Sequence, residues 1–199
     1  MLTLYHSPGS RSSRFIWLLE ELAVEYEIVY CNIKRRSGNG APDPQNPHPD
    51  KRVPALLHDG QLVTEQAAIA LYLTDSFPTA GLGVAIGQPG RGSYLTWLAF
   101  FAGEADPAYV ARTLYGDRPD PVTIRDAQRV VQRMAAALSQ GPYLLGQQFS
   151  AADILLSGPF AWDPAWAADD APILHWQARL AARPAAQRAA AKDKPPEPI

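Results

Sequence analysis

Short apolar runs bounded by turn residues fill the first third of the chain, and longer stripes at three-and-four spacing fill most of the rest. Leu2-Thr3-Leu4-Tyr5 has the length of a buried strand, Ser7-Pro8-Gly9 breaks it, and Phe15, Leu18, Leu19 and Leu22 then form a helical stripe. Glu27 to Ile33 returns to a strand pattern, so residues 2–33 read as a strand-helix-strand unit with parallel strands and a right-handed crossover. Ala55-Leu56-Leu57 and Leu62-Val63-Thr64 flank the turn His58-Asp59-Gly60-Gln61, which predicts an antiparallel hairpin with Gly60 supplying the positive φ. Ala68, Ile69, Tyr72 and Leu73 then recur at helical spacing. Glu65-Gln66 fall at that helix's first free backbone N–H groups, where donors and dipole together favour an anion. Val53-Pro54 puts a proline at a strand start, where it forfeits no interior ladder bond and can be cis.

Residues 34–50 hold Gly, Pro, Asn and Asp too densely for a regular element. The helix after the hairpin should end near Phe77-Pro78, and the glycine-rich stretch to Gly92 reads as a linker. Beyond it, Tyr94, Leu95, Leu98, Phe101, Ala102 and Ala105 make one stripe. Ala127, Val130, Val131, Met134, Ala135 and Leu138 make another, begun near Pro119-Asp120-Pro121 and stopped at Gly141-Pro142. Ser150-Ala151-Ala152-Asp153 is a capping box with Asp in the place of Glu. Pro159 and Pro164 predict a broken segment around Trp162 and Trp166, His175 to Ala191 turns helical again around Pro184, and Lys192 to Ile199 reads as a loose tail. The expected boundaries are a domain over 1–77, a linker over 78–92 and an all-helical domain over 93–199.

With 199 residues, 47% of them hydrophobic, the chain can bury two small cores. A formal net charge of -2 with mixed signs gives no basic face for nucleic acid or a membrane surface. Cys31 is the single cysteine, so no internal disulfide or CxxC pair exists, in keeping with a reducing cytoplasm. Its neighbours Val29, Tyr30 and Ile33 read as strand, which makes it buried filler rather than a nucleophile. No apolar stretch reaches the ~20 residues of a membrane span, and the N-terminus carries no basic leader, so neither insertion nor export is expected.

The loop SPGSRSSR sits on the first strand-to-helix crossover and crowds Ser10, Ser12 and Ser13 at the helix start. One of them suffices as an N-cap; three exceed what capping needs. Val-Pro, a hairpin and an acidic-polar pair opening a helix together resemble the glutathione S-transferase family, in a bacterial type with a serine/arginine loop in place of the beta-class cysteine. That resemblance implies an α/β thioredoxin-like N-terminal domain followed by an all-α helical-bundle domain, with glutathione as co-substrate and no metal. It further implies that Val53 pairs with the cysteinyl part of glutathione beside a cis Pro54, and that Glu65-Gln66 hold its γ-glutamyl end. Gln66 stands where the family has Ser. Arg52, or Lys51 beside it, stands where a Lys often reaches the glycyl carboxylate.

Thiol activation falls by the same resemblance to Ser10, aligned with the serine of theta-like members when Arg14 and its helix are matched. Tyr5 is the competitor, since several animal classes use a tyrosine near the end of the first strand, but it lies inside an apolar run. Against the beta-class pattern SPGACS, Arg11 takes the cysteine position, so mixed-disulfide chemistry is absent, and Arg11 or Ser12 could also steady the thiolate. The wall for a small hydrophobic electrophile comes from the helical domain, with Tyr94, Trp97 and Phe101 as first candidates and Tyr109, Trp162 and Trp166 as others. A cytoplasmic homodimer is expected from the family. Two alternatives share the scaffold: a non-catalytic ligand-binding or interaction protein, and a glutathione-dependent disulfide reductase needing no protein cysteine.

Overall fold

The structure, a computed structural model, describes residues 1–116 and 120–195. The chain divides into two compact units, Met1–Leu73 with the segment from Arg183 onward, and Thr74–Ala182.

The first unit is built on a four-stranded mixed sheet of order β2-β1-β3-β4. β1 (Leu2–His6) pairs in parallel with β2 (Tyr26–Tyr30) and antiparallel with β3 (Ala55–His58), which pairs antiparallel with β4 (Gln61–Thr64). Helix α1 (Ser13–Leu22) makes the crossover and buries Phe15, Ile16, Leu18 and Leu19 completely. Each such side chain contributes about 1.5–3 kcal/mol of burial. The hairpin turn places Asp59 at φ 48° and Gly60 at φ 83°, so both central residues are left-handed, the geometry whose twist suits a two-residue connection. The β2 strand stops at Tyr30, short of the expected Ile33, because Cys31 N donates back to His6 O and Asn32 N turns to Asp43. This is the thioredoxin-like arrangement, and α2 (Gln66–Ser76) follows the hairpin as expected.

The second unit is helical: α3 (Arg91–Phe100), a π-helical stretch at Phe101–Ala105, α4 (Asp106–Tyr115), α5 (Pro121–Leu138), α6 (Ala151–Trp162) and α7 (Ala171–Ala181). Asp120 caps α5 by accepting from Val122 N and Thr123 N; Pro119, expected beside it, lies outside the described residues. The capping box forms at α6, and Asp153 goes further than capping. Its buried carboxylate accepts from Leu144 N, Trp176 Nε1 and both the backbone and the hydroxyl of Ser150. Pro159 does not break α6, which runs on to Trp162 before a short turn at Pro164–Ala167.

Two expectations about organisation are corrected. The stretch 78–92 is no free linker: Leu82 is buried, its carbonyl accepts from Ala151 N, and Gln148 Nε2 donates to Gly81 O and Gly83 O. Nor does the C-terminus belong with the helical domain. α8 (Pro184–Ala191) packs on α1, where Arg183 makes a bidentate pair with Glu21 and Arg188 and Lys192 both reach Glu20. Burial pushes the Glu20 carboxyl up, yet the bonds from Lys192, Tyr26 and Arg188 outweigh it and hold the group at about 2. The tail begins bound rather than loose, since Tyr30 Oη donates to Lys192 O and Lys194 O; its last four residues lie outside the described ones.

Candidate active site

Residues 7–13 leave β1 and enter α1, and four backbone donors of this loop, those of Ser7, Gly9, Ser10 and Ser12, are met by side chains. Gly9, at φ 60°, gives its N–H to Asp193 Oδ2 at 2.9 Å. Ser10 N donates to Ser13 Oγ at 3.3 Å, and Ser7 N to Ser12 Oγ at 3.2 Å. Arg35 closes the other side, its Nη2 donating to Ser7 Oγ at 3.1 Å and to Pro8 O at 2.7 Å. Of the expected thiol donors, Ser10 and Arg11 are half-buried and Ser12 is wholly buried, so Ser12 cannot meet a ligand directly.

Ser12 occupies the N-cap position of α1 but makes no capping bond. Its hydroxyl instead lies 2.8 Å from His6 Nδ1 and 2.7 Å from Ser10 Oγ. His6, fully buried at the end of β1, sets its Nε2 2.9 Å from Asp193 O and 3.5 Å from Asp193 Oδ1. Burial lowers its pKa first of all, the Asp193 contacts oppose that, and the Arg35 charge adds to it, so the imidazole is neutral near pH 7. Neither His6 nor Asp193 was among the expected site residues. A histidine inside an apolar strand carries no local signal, and its partner lies 187 positions away.

Val53-Pro54, immediately before β3, is cis. Glu65 holds φ 66°, a strained conformation for a non-glycine residue, with its side chain exposed and its carbonyl accepting from Ile69 N. Gln66 opens α2, and its Oε1 is buried with no hydrogen-bond partner among the described residues. Arg52 is tied to Asp50 at 2.5 Å, and Lys51 Nζ donates to Asn46 O at 2.7 Å, so both expected cations already serve the loop that leads into Val53.

The expected electrophile wall is corrected in part. Tyr94 is fully buried with its hydroxyl 2.9 Å from Thr74 Oγ1, and Phe101 is 1% exposed, so both are core of the helical unit. Trp97 is nearly buried too, edge-on to Phe100 with the Arg133 guanidinium 5.3 Å from its ring. The rings that stay accessible are Tyr109 and Trp162, which lie 5.7 Å apart, and Tyr115. Tyr5 is half-buried within β1. Cys31 is buried, and burial followed by the Asp43 charge pushes its thiol up to about 11, which leaves it inert at neutral pH.

Residues 1–75 match the family model for the glutathione S-transferase N-terminal domain. These residues carry the glutathione S-transferase N-terminal domain. Among curated relatives of the family, glutathione S-transferase GstA of Escherichia coli O157:H7 is 27% identical, the match covering 81% of this chain and 82% of GstA. The disulfide-bond oxidoreductase YfcG of Escherichia coli strain K12 is 24% identical over 96% of this chain and 95% of its own. A solved sphingomonad glutathione S-transferase complexed with glutathione superposes with a TM-score of 0.79 at 27% identity, over 96% of this chain and 98% of that one. The helical unit, outside the family-model match, falls within that superposition.

Proposed function

We infer that this chain is a glutathione S-transferase that ionises the thiol of glutathione beside Ser10 and adds the thiolate to a small apolar electrophile. The observation that carries the reading is the half-buried Ser10 hydroxyl at the N-terminus of α1, braced from behind by Ser12, with no carboxylate hydrogen-bonded to either among the described residues. A free cysteine thiol has a pKa of about 8.5, so only a few per cent is thiolate at pH 7. One charge-assisted hydrogen bond is worth about 1.5–3 kcal/mol, or one to two pKa units, which is enough to make the thiolate a major species. The α1 dipole acts in the same direction.

The other end of the tripeptide suits the start of α2. Exposed Glu65 supplies a carboxylate and Gln66 Oε1 an unused buried acceptor, and both match an α-ammonium group. Val53, at the cis bond, supports a main-chain contact to the cysteinyl unit. Arg52 and Lys51 remain the cations for the glycyl carboxylate, and Arg35, which reaches Pro8 from the loop after β2, is a third. Tyr109 and Trp162 supply accessible apolar surface for the electrophile. The working form is a homodimer in a reducing cytoplasm, to be checked by light scattering.

Similarity to YfcG favours a second reading, reduction of small disulfides by glutathione, which the lack of a loop cysteine does not exclude. The deciding experiment is turnover of a generic aryl halide against turnover of a small disulfide, with Ser10→Ala alongside. The transferase reading expects aryl-halide conjugation that falls about 10–100-fold in the variant, with glutathione affinity held within about threefold. Disulfide turnover without conjugation would replace it by the second reading.

A further inference from the structure

The hydrogen-bond partners fix which way each proton points in the buried string behind Ser10. Asp193 O can only accept, so the proton shared at 2.9 Å sits on His6 Nε2. A neutral imidazole protonated there must accept at Nδ1, so the Ser12 hydroxyl donates to it across 2.8 Å. With its only proton committed, Ser12 Oγ is an acceptor for Ser7 N and for the Ser10 hydroxyl at 2.7 Å. Ser10 Oγ accepts from Ser12 N and keeps one lone pair. Before ionisation, then, the Ser10 proton points inward, and toward a ligand Ser10 offers a lone pair rather than a donor.

We propose that His6, acting through Ser12, is the proton acceptor for the glutathione thiol at Ser10, and that the Asp193 carboxylate stabilises the imidazolium so formed. This rests on the transferase reading. The thiol S–H bond breaks and its proton passes to Ser10 Oγ, the Ser10 proton passes to Ser12 Oγ, and the Ser12 proton passes to His6 Nδ1. The sulfur keeps the bonding pair as a thiolate, and no other charge is created but the imidazolium. The bonds from Ser10 through Ser12 to His6 Nδ1 are now reversed, so Ser10 donates to the thiolate.

Asp193 is placed for the charge that arrives. Its Oδ1 is buried with no hydrogen-bond partner among the described residues, 3.5 Å from His6 Nε2, while Oδ2 is held by Gly9 N. The groups bearing on the imidazole are Asp193 from the C-terminal turn, Arg35 from the loop after β2, and the Tyr30 ring edge-on at 5.6 Å. Arg35 opposes the imidazolium and Asp193 favours it. His6 and Asp193 are positioning residues, because neither touches the thiol.

The test is the pH midpoint of thiolate absorbance near 240 nm in the glutathione complex of the full chain, for the wild type, Asp193→Asn and His6→Gln. Asp193→Asn keeps an acceptor for Gly9 N, removes the charge and puts an amide NH2 in the place of Oδ1. A carboxylate acting through space on the thiolate would, once removed, lower the midpoint; the relay demands the opposite, a rise of about one unit, and a rise at least as large in His6→Gln, with glutathione affinity kept within about threefold. Activity at pH 6.5 should fall about tenfold in both. If His6→Gln does not fold, Asp193→Asn alone decides. A midpoint in Asp193→Asn that is unchanged or lower overturns the relay, while a wild type that binds glutathione without shifting its thiol overturns the transferase reading and the relay with it.

Discussion

At Asp153 four donors converge on one buried carboxylate, and burial still raises its pKa. The capping box was legible in Ser150 and Asp153, because that motif is local. The bonds from Leu144 N and Trp176 Nε1 were not, since nothing in the sequence says which distant donor will face a cap. Asp153→Ala orphans three buried N–H groups and a hydroxyl, so it should cost more than about 3 kcal/mol, read as a lower urea midpoint with unchanged slope. Ser10 and Ser12 are the same lesson inverted: the excess of hydroxyls was visible, but the partner that gives them direction, His6, was not. Glu65→Ala removes an exposed carboxylate, so it should weaken glutathione binding about tenfold by calorimetry while leaving thermal stability within about 0.5 kcal/mol.

At the scale of elements, helical and strand periods gave nearly every segment, and the errors came where a charge pattern or a side-chain bond overruled periodicity. Pro159 sits inside α6 because the helix continues past it to Trp162. α8 has a narrow apolar face, with Ala185 and Ala189 buried, and it is fixed to α1 by matching Arg183, Arg188 and Lys192 to Glu21 and Glu20. No single-helix pattern reveals that match. Glu20→Gln should lower stability by about 1–3 kcal/mol at pH 7. The folded carboxyl titrates below its unfolded value, so this contribution is complete above about 4.5 and is lost as pH falls toward about 2. Urea unfolding of the wild type and Glu20→Gln at pH 7, 4 and 3 should therefore converge as pH drops.

Over the whole molecule, the thioredoxin-like unit is not contiguous in sequence: the segment from Arg183 returns to it after the helical unit has been completed. Composition located the change near residue 77 but could not show the return, because α8 looks like one more helix of the second domain. The return matters for function, since it delivers Asp193 to His6 and Gly9. Truncation after Ala191 should thus lower conjugation at least tenfold and also reduce stability. His6 adds an acid-side limit: its folded pKa lies below the unfolded one, so stability is full above about 6.5 and declines as pH falls below it.

The central claim is that this fold ionises glutathione at the start of α1. Ultraviolet titration of the wild-type complex measures that directly: the bound thiol should titrate at least one unit below the ~8.5 of a free thiol. A saturated complex whose thiolate absorbance follows the free-thiol curve would contradict the account.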